Sequence, residues 1–301
     1  MMGTVVGITV VSTDKPRADA ALNAAFGELD RLEKMMSTTI PTSDVARINE
    51  AAGKQPVRVS PEVLELLDKA AEAHRISNGL FDVTVGPLVG LWGIGVKEPR
   101  VPSKEEIAAA VALCGADRLE VDKAAGTVFL KSPGMAIDLG GIAKGYAADR
   151  AIETLRKSGI TAGVVAVAGD IRAMGSKPDG SSWRIGVQHP RDKDKLLTSL
   201  ALTDRAVSTA GDYERFLEKD GVRYHHLLNP ATGMPATLCQ SATVVASAGI
   251  VTDPLSTIIF LLGPEAGMAL VETMPGVEAI IVDAQGKATV SSGLKNSVAV
   301  K

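Results

Sequence analysis

Four groups of residues in this chain have the types and spacing to do chemistry. The first is a glycine-rich connection, Asp138-Leu139-Gly140-Gly141-Ile142-Ala143-Lys144-Gly145-Tyr146, between a β-like apolar run at 134–137 and a helical run from 146 to about 157. Such a turn lets backbone come close to a ligand, and the helix N-terminus behind it favours anionic groups such as phosphate. The same pattern also serves as a plain tight connection. The second group is Asp253 and Thr257. At spacing i,i+4 on a helix their oxygens share one face, where they can hold a hard cation; the bland alternative is helix capping. The third is His225-His226, in a strand read over 224–228. Alternation sends the two rings to opposite faces, so at most one serves any given site. The fourth is Asp82, a carboxylate between Phe81 and Val83, which is either a cap or a site residue.

These residues need elements to hold them. A β-branched run at 4–11 reads as a strand, and 17–35 reads as a helix with Ala21, Ala25, Leu29 and Leu32 on one face. Residues 37–48 read as a polar loop in which Ser43 and Asp44 cap a short turn. A short strand at 57–59 precedes a helix opened by Ser60-Pro61-Glu62, with serine at N-cap and proline at N1. Its face is read as Leu64, Leu67, Ala71 and His74, the histidine being half-buried. Residues 77–96 hold five glycines and read as an irregular loop packed on the core, whose backbone polar groups need partners.

Ser103 opens a further helix, with Glu106 completing a capping box, that ends near Cys114-Gly115. Runs at 119–121 and 127–130 alternate around Ala125-Gly126 as a hairpin does. Strands are expected at 163–167, 183–188, 197–202, 206–208, 242–246, 280–282 and 287–290, with turns at 168–170 and 209–213. Thr252-Asp253-Pro254 reads as the start of a helix over 254–262, Asp253 near N-cap and Pro254 at N1. Helices and strands intermix, with several hairpins. The expected class is α+β: mixed, largely antiparallel sheets with packed helices, in a single compact unit over 1–301 with the site in a central cleft.

Composition narrows the partners. The net charge is −3 with no basic block, and aromatics are 3% of residues, so neither an electrostatic footprint nor a stacking platform for nucleic acid is present. No apolar run approaches the length that spans a bilayer. Cys114 and Cys239 stand far apart and outside any metal-ligand spacing. They read as two buried thiols, with a disulfide as the alternative.

Five pieces, in order along the chain, resemble the FAD:protein FMN transferases, the ApbE flavin-transferase family. They are Met2-Gly3-Thr4; Gly79-Leu80-Phe81-Asp82-Val83-Thr84-Val85-Gly86-Pro87-Leu88; the Asp138–Tyr146 stretch; His226-Leu227-Leu228-Asn229-Pro230-Ala231-Thr232-Gly233; and Thr252-Asp253-Pro254-Leu255-Ser256-Thr257. Gly169-Asp170-Ile171 and the strand at 183–188 fit as well. The resemblance implies an enzyme that takes FAD, requires Mg²⁺, transfers FMN to a Thr or Ser hydroxyl of an acceptor protein and releases AMP. The acceptor would be a flavin-carrying subunit of a membrane redox complex. The location would be periplasmic or cell-envelope associated, the doubled Met1-Met2 standing before a trimmed mature sequence. The resemblance assigns metal ligation to Asp253 and Thr257, with backbone oxygens at Gly141 and Ser256. It assigns proton handling to His226 rather than His225, and counts Asp253 with it as catalytic. It places FAD contacts at Met2, Thr39, Leu80, Phe81, Asp82, Asp138, Lys144, His226 and Leu228.

Three positions depart from the family pattern. Asn229 stands where many relatives carry Asp, so a charge is lost in that turn. Thr39 replaces an aromatic that stacks on a FAD ring, a change of about 1 kcal/mol in affinity if nothing replaces the stack. Ala210 removes a hydroxyl from a Thr-Ser-Gly-like turn. Two other readings compete: a Mg²⁺-dependent FAD pyrophosphatase using water as acceptor, and a non-catalytic FAD-binding protein. Retention of Asp253, Thr257 and His226 together argues against simple storage.

Overall fold

The opening β-branched run lies antiparallel to a second one, with Ile8 opposite Val165 and Val10 opposite Gly163. β-branched residues fit this pleated, half-buried surface, and the pair begins the larger sheet. The computed structural model describes residues 3–296 and 298; Met2, an expected FAD contact, lies outside them. The first elements are β1 (Val6–Val10), α1 (Lys15–Met36), α2 (Asp44–Glu50), β2 (Val57–Arg58), α3 (Pro61–Ile76), α4 (Gly86–Trp92) and α5 (Lys104–Val111). The hairpin of β3 (Leu119–Asp122) and β4 (Thr127–Leu130) precedes α6 (Ala143–Lys157). Then come β5 (Gly163–Val167), β6 (Asp170–Met174), β7 (Trp183–Gln188), β8 (Leu196–Leu202) and β9 (Ala206–Gly211). β10 (Phe216–Lys219), β11 (Val222–His225) and β12 (Cys239–Ala246) follow. The last are α7 (Gly249–Leu262), α8 (Pro264–Glu272), β13 (Glu278–Asp283) and β14 (Ala288–Val290). The class is α+β with antiparallel pairing, as expected. Among the described residues, no helix is long and apolar enough to cross a membrane.

By internal contacts the chain divides into two units. One comprises Met1–Glu33, Ile142–Ala210 and Cys239–Lys301; the other comprises Lys34–Gly141 and Gly211–Leu238. The first unit holds a seven-stranded sheet in the order β1-β5-β6-β9-β12-β13-β14. Strand alternation divides its residues between two coverings. Ala173, Val207, Val245 and Ile280 pack against Val187, Leu197, Leu200 and Leu202 of the β7–β8 hairpin. On β6 the neighbouring Arg172 instead meets Asp149 of α6. Helices α6 and α7 touch at glycines: a Cβ on Gly145 would stand 2.6 Å from the Gly249 carbonyl carbon and 2.8 Å from the Asp253 Cβ.

The second unit carries the three-stranded sheet β2-β4-β3, the β10–β11 hairpin and helices α2 to α5. Leu88, Trp92, Ile94, Ile107, Ala110 and Leu228 form its apolar cluster around α4 and α5. The capping box at Ser103 and Glu106 forms as expected.

Several expectations are corrected. Helix α7 begins at Gly249, and Pro254 lies inside it. Asp253 is therefore a buried residue on the helix's second turn, 3% exposed, and caps nothing. The earlier start has a cause: the Asp149 carboxylate accepts the N–H groups of Gly249 and Ile250, which a helix's first turn cannot satisfy itself. Residues 77–96 are not all irregular, because α4 forms within them. Its left-handed C-cap at Gly93 ends it, as glycine does most easily. The run at 134–137 is no strand; it makes one parallel bridge, Ala136 to Val85. Thr209-Ala210-Gly211 continues β9 rather than turning, and Ala210 is buried in the sheet. The second histidine lies outside β11, which stops at His225. On α3 the buried face is Val63, Leu66, Leu67, Ala70 and Ala73, one position off the expected set, leaving Ala71 exposed.

Two glycine substitutions separate packing from propensity. Gly145→Ala must push α6 from α7 and should lower stability by about 2 kcal/mol or more. Gly27→Ala, in α1 where a Cβ meets nothing within 4 Å, should raise it by roughly 0.5–1 kcal/mol. Chemical denaturation of both variants checks the opposite signs.

Candidate functional site

In the first unit, three charged side chains from three elements meet. Lys144 stands at the start of α6, Asp170 opens β6 and Asp253 lies on α7. The Lys144 ammonium is 3.0 Å from Asp170 Oδ2 and 3.3 Å from Asp253 Oδ1. The Gly145 N–H donates to Asp253 Oδ2 at 2.9 Å. Both carboxylates are buried, so each is costly unless paired. Burial pushes the Asp253 carboxyl well above the ordinary carboxylate range, and the neighbouring Asp170 charge adds to that push; Lys144 and the Gly145 N–H pull the other way. Burial works against the Lys144 ammonium, and the two carboxylates outweigh it and raise its pKa. Two carboxylates thus share one ammonium, and the ionised cluster has one negative charge left over.

That surplus suits a hard cation, and the neighbouring donors are oxygens. Thr257 follows Asp253 by one turn of the same helix. The Ser256 hydroxyl donates to the Asp253 carbonyl at 2.8 Å, within the same helix. Among the described residues no three His, Cys, Asp or Glu side chains gather as a metal site. A divalent ion here would draw on Asp253, a hydroxyl, backbone and substrate oxygens, the mixed shell that Mg²⁺ usually takes.

In the second unit, two glycine-containing stretches run side by side. The Asp138 N–H donates to the Val83 carbonyl at 2.7 Å, and the Gly86 N–H to the Ala136 carbonyl at 3.2 Å. A Cβ at Gly86 would stand 2.6 Å from that carbonyl oxygen, so only glycine fits. Asn49 clamps the pair through both backbone groups of Ile137, at 2.8 and 3.0 Å. The Asp138 carboxylate accepts the Gly140 N–H at 2.7 Å, shaping the turn that leads to Gly141. Asp82 is a pin: its carboxylate accepts from the Thr84 N–H, the Thr84 hydroxyl and the Ala116 N–H. Phe81 is buried, and its carbonyl lies 3.0 Å from His74 Nδ1.

The two adjacent histidines separate cleanly. His225 is buried; its Nε2 meets the Ala236 carbonyl at 2.7 Å and its Nδ1 accepts the Leu227 N–H at 3.2 Å. Both nitrogens are committed, and the ring is a neutral strut. His226 is half-buried, with Nδ1 3.2 Å from the Arg215 carbonyl. A carbonyl only accepts, so Nδ1 carries the hydrogen and the basic lone pair is on Nε2. After it, Asn229 Oδ1 accepts the Ala231 N–H at 2.9 Å, and the Trp92 indole donates to the Gly233 carbonyl at 2.8 Å.

The ApbE family model matches residues 2–281. The chain belongs to the ApbE family. The FAD:protein FMN transferase of Klebsiella pneumoniae is 34% identical to it over 284 residues, covering 94% of this chain and 87% of its own length. That of Treponema pallidum is 34% identical over 319 residues, covering 100% and 87%. The solved ApbE protein of Thermotoga maritima matches with a TM-score of 0.91 at 36% identity, covering 98% of this chain and 96% of that one.

Within this ApbE-family chain, Lys144, Asp253, Ser256 and Thr257 come together in the first unit. Leu80, Phe81, Asp82 and Asp138 lie on the two paired stretches of the second, and Gly141 ends that unit. Thr39 is exposed and bonded to Ser37. Leu228 is part of the Trp92 cluster, a core position for its side chain. Asn229 keeps the turn through its amide oxygen, so the turn does not need the missing charge. Asp170 was expected only at a turn tip. It is instead the first residue of β6, opposite Val167, because Ala168 at φ 54 and Gly169 complete the hairpin. The signal was a carboxylate following Gly169 at the start of a short strand, Asp170–Met174. Asp149 and Arg172 carry no such local signal.

Cys114 and Cys239 are both free thiols. Burial pushes the Cys114 thiol up to about 11, the Asp82 charge adding and Arg118 opposing. A raised pKa keeps the neutral form, so about one molecule in a thousand is thiolate at pH 8. Native Cys114 should therefore alkylate slowly with iodoacetamide at pH 8, and about tenfold faster per pH unit above it until near pH 11. Peptide mapping after timed labelling checks this; rapid labelling at neutral pH would contradict it.

Proposed function

We propose that this ApbE-family enzyme moves the FMN half of FAD to a Thr or Ser hydroxyl of an acceptor protein, with Mg²⁺ required and AMP released. One observation carries the reading: a buried cluster of two carboxylates and one ammonium at the positive end of α6, with a hydroxyl one helical turn on. A helix N-terminus attracts phosphate, and phosphoryl transfer depends mainly on positioning and charge stabilisation. Asp253 and Thr257, with the backbone of Ser256 and Gly141, are the residues assigned to hold Mg²⁺. When bound, that ion would offset the charge of the pyrophosphate and of the leaving phosphate.

The protein's own groups have separate tasks. Lys144 orients the Asp253 carboxylate and opposes the effect of its burial. His226 offers Nε2 to the acceptor hydroxyl, with the Arg215 carbonyl fixing the tautomer. The hydroxyl oxygen bonds to the FMN phosphorus as the bond from that phosphorus to the bridging oxygen breaks. AMP leaves with the bridging oxygen, and the hydroxyl proton passes to His226. The same reading extends to an acceptor from a membrane redox complex and to an envelope location, on family likeness alone.

The test is AMP release from FAD with Mg²⁺, with and without a domain bearing a flavinylatable Thr, followed by mass spectrometry of that domain. A gain of one FMN supports transfer; free FMN and AMP with an unmodified domain would replace it with hydrolysis. Asp253→Asn should lower turnover by about a hundredfold or more while the protein stays folded, as circular dichroism would check. His226→Ala should lower kcat by about 10²–10⁴-fold and leave KM for FAD nearly unchanged.

A further inference from the structure

Asp253 reaches Lys144 and Gly145 only if α7 starts in the right place and lies close on α6. One side chain outside the cluster controls both. The carboxylate of Asp149, on α6, accepts the N–H groups of Gly249 and Ile250, each at 2.9 Å. These are the first two residues of α7, whose N-cap Ala248 supplies no side-chain cap. Arg172 of β6 holds the same carboxylate from the sheet, Nε to Oδ1 at 3.1 Å, and donates to the Ala173 carbonyl at 2.6 Å. Asp149 thus ties strand, α6 and α7 at one point.

The adjoining contacts leave α7 little freedom once that point is fixed. Gly249 packs on Gly145, where neither residue has room for a Cβ. The Ser208 and Thr252 hydroxyls, fully buried, bond at 2.7 Å from the other side. One turn beyond Gly249 stands Asp253, and Gly145 is the residue whose N–H it accepts. We propose that Asp149 is a positioning residue for the transfer reaction: by anchoring the first turn of α7 to α6, it places the Asp253 carboxylate, and it acts without touching substrate. The inference rests on the reading of Asp253 as a metal ligand.

The test compares Asp149→Ala and Asp149→Asn with Val187→Ala, a destabilising change in the β7–β8 covering of the sheet. Two properties are read: affinity for Mn²⁺ alone, from the free-ion electron paramagnetic resonance signal, and kcat and KM for AMP release with Mg²⁺. Asp149→Ala should weaken Mn²⁺ binding and lower kcat, each by about tenfold or more, with KM for FAD within about twofold. Asp149→Asn retains one good acceptor and should lose less. Val187→Ala should bind Mn²⁺ and turn over like the wild type below its melting range. Asp149 variants matching Val187→Ala in both properties would overturn the proposal; if the alanine variant does not fold, the asparagine variant decides by the same comparison. Wild-type protein that binds no Mn²⁺ would overturn the reading of Asp253 itself, and this inference with it.

Discussion

Two carboxylates and one ammonium, removed together from water, set the terms for the rest of this protein. Taking a charge out of water costs several kcal/mol, and a pair recovers that only with good geometry and further hydrogen bonds. Here Asp170 and Asp253 divide one Lys144 ammonium between them, and the Gly145 N–H donates to Asp253 as well. The arrangement is unfavourable by design of its charge count. A purely structural core has no use for it, since apolar residues of the same volume would cost less. A site proposed to receive a divalent cation does, because the cation would offset the excess negative charge.

Keeping such a cluster intact requires rigid neighbours, and the chain provides them with small residues and capped ends. Gly145 and Gly249 bring two helices so close that backbone meets backbone. The internal proline of α7 removes one N–H from the ladder, yet the helix holds because its first turn is satisfied from outside, by Asp149. Arg172 then balances the Asp149 charge from the sheet. Each device exists to satisfy a polar group that the previous one buried. The sequence of obligations runs from Asp253 to Gly145, to Gly249, to Asp149 and on to Arg172.

The second unit solves a different problem: holding loops still without regular strands. Its glycine-rich stretches are paired by a few backbone bonds, and Asn49 finishes the job by answering both groups of Ile137. Asp82 spends its oxygens on Thr84 and Ala116. A carboxylate so engaged shapes the loop, and any ligand it helps to bind is met by the backbone it has arranged. Of the alternatives left open for Asp82, these bonds are those of a cap that holds its own loop.

How much of this was legible in the chain depended on the range of the interaction concerned. Local chemistry read correctly at the capping box of Ser103 and the hairpin at Ala125-Gly126. Helix α7 was misread because Asp253-Pro254 is a strong local start signal, and the carboxylate that overrides it is 100 residues from Gly249 in the chain. The face of α3 slipped by one position because Leu64 and Leu66 look alike until something packs against one of them. For the histidines, the strand read over 224–228 runs too far, because β11 stops at His225. Their surroundings differ through their partners: the Ala236 carbonyl and the Leu227 N–H engage both nitrogens of His225, whereas the Arg215 carbonyl meets Nδ1 of His226.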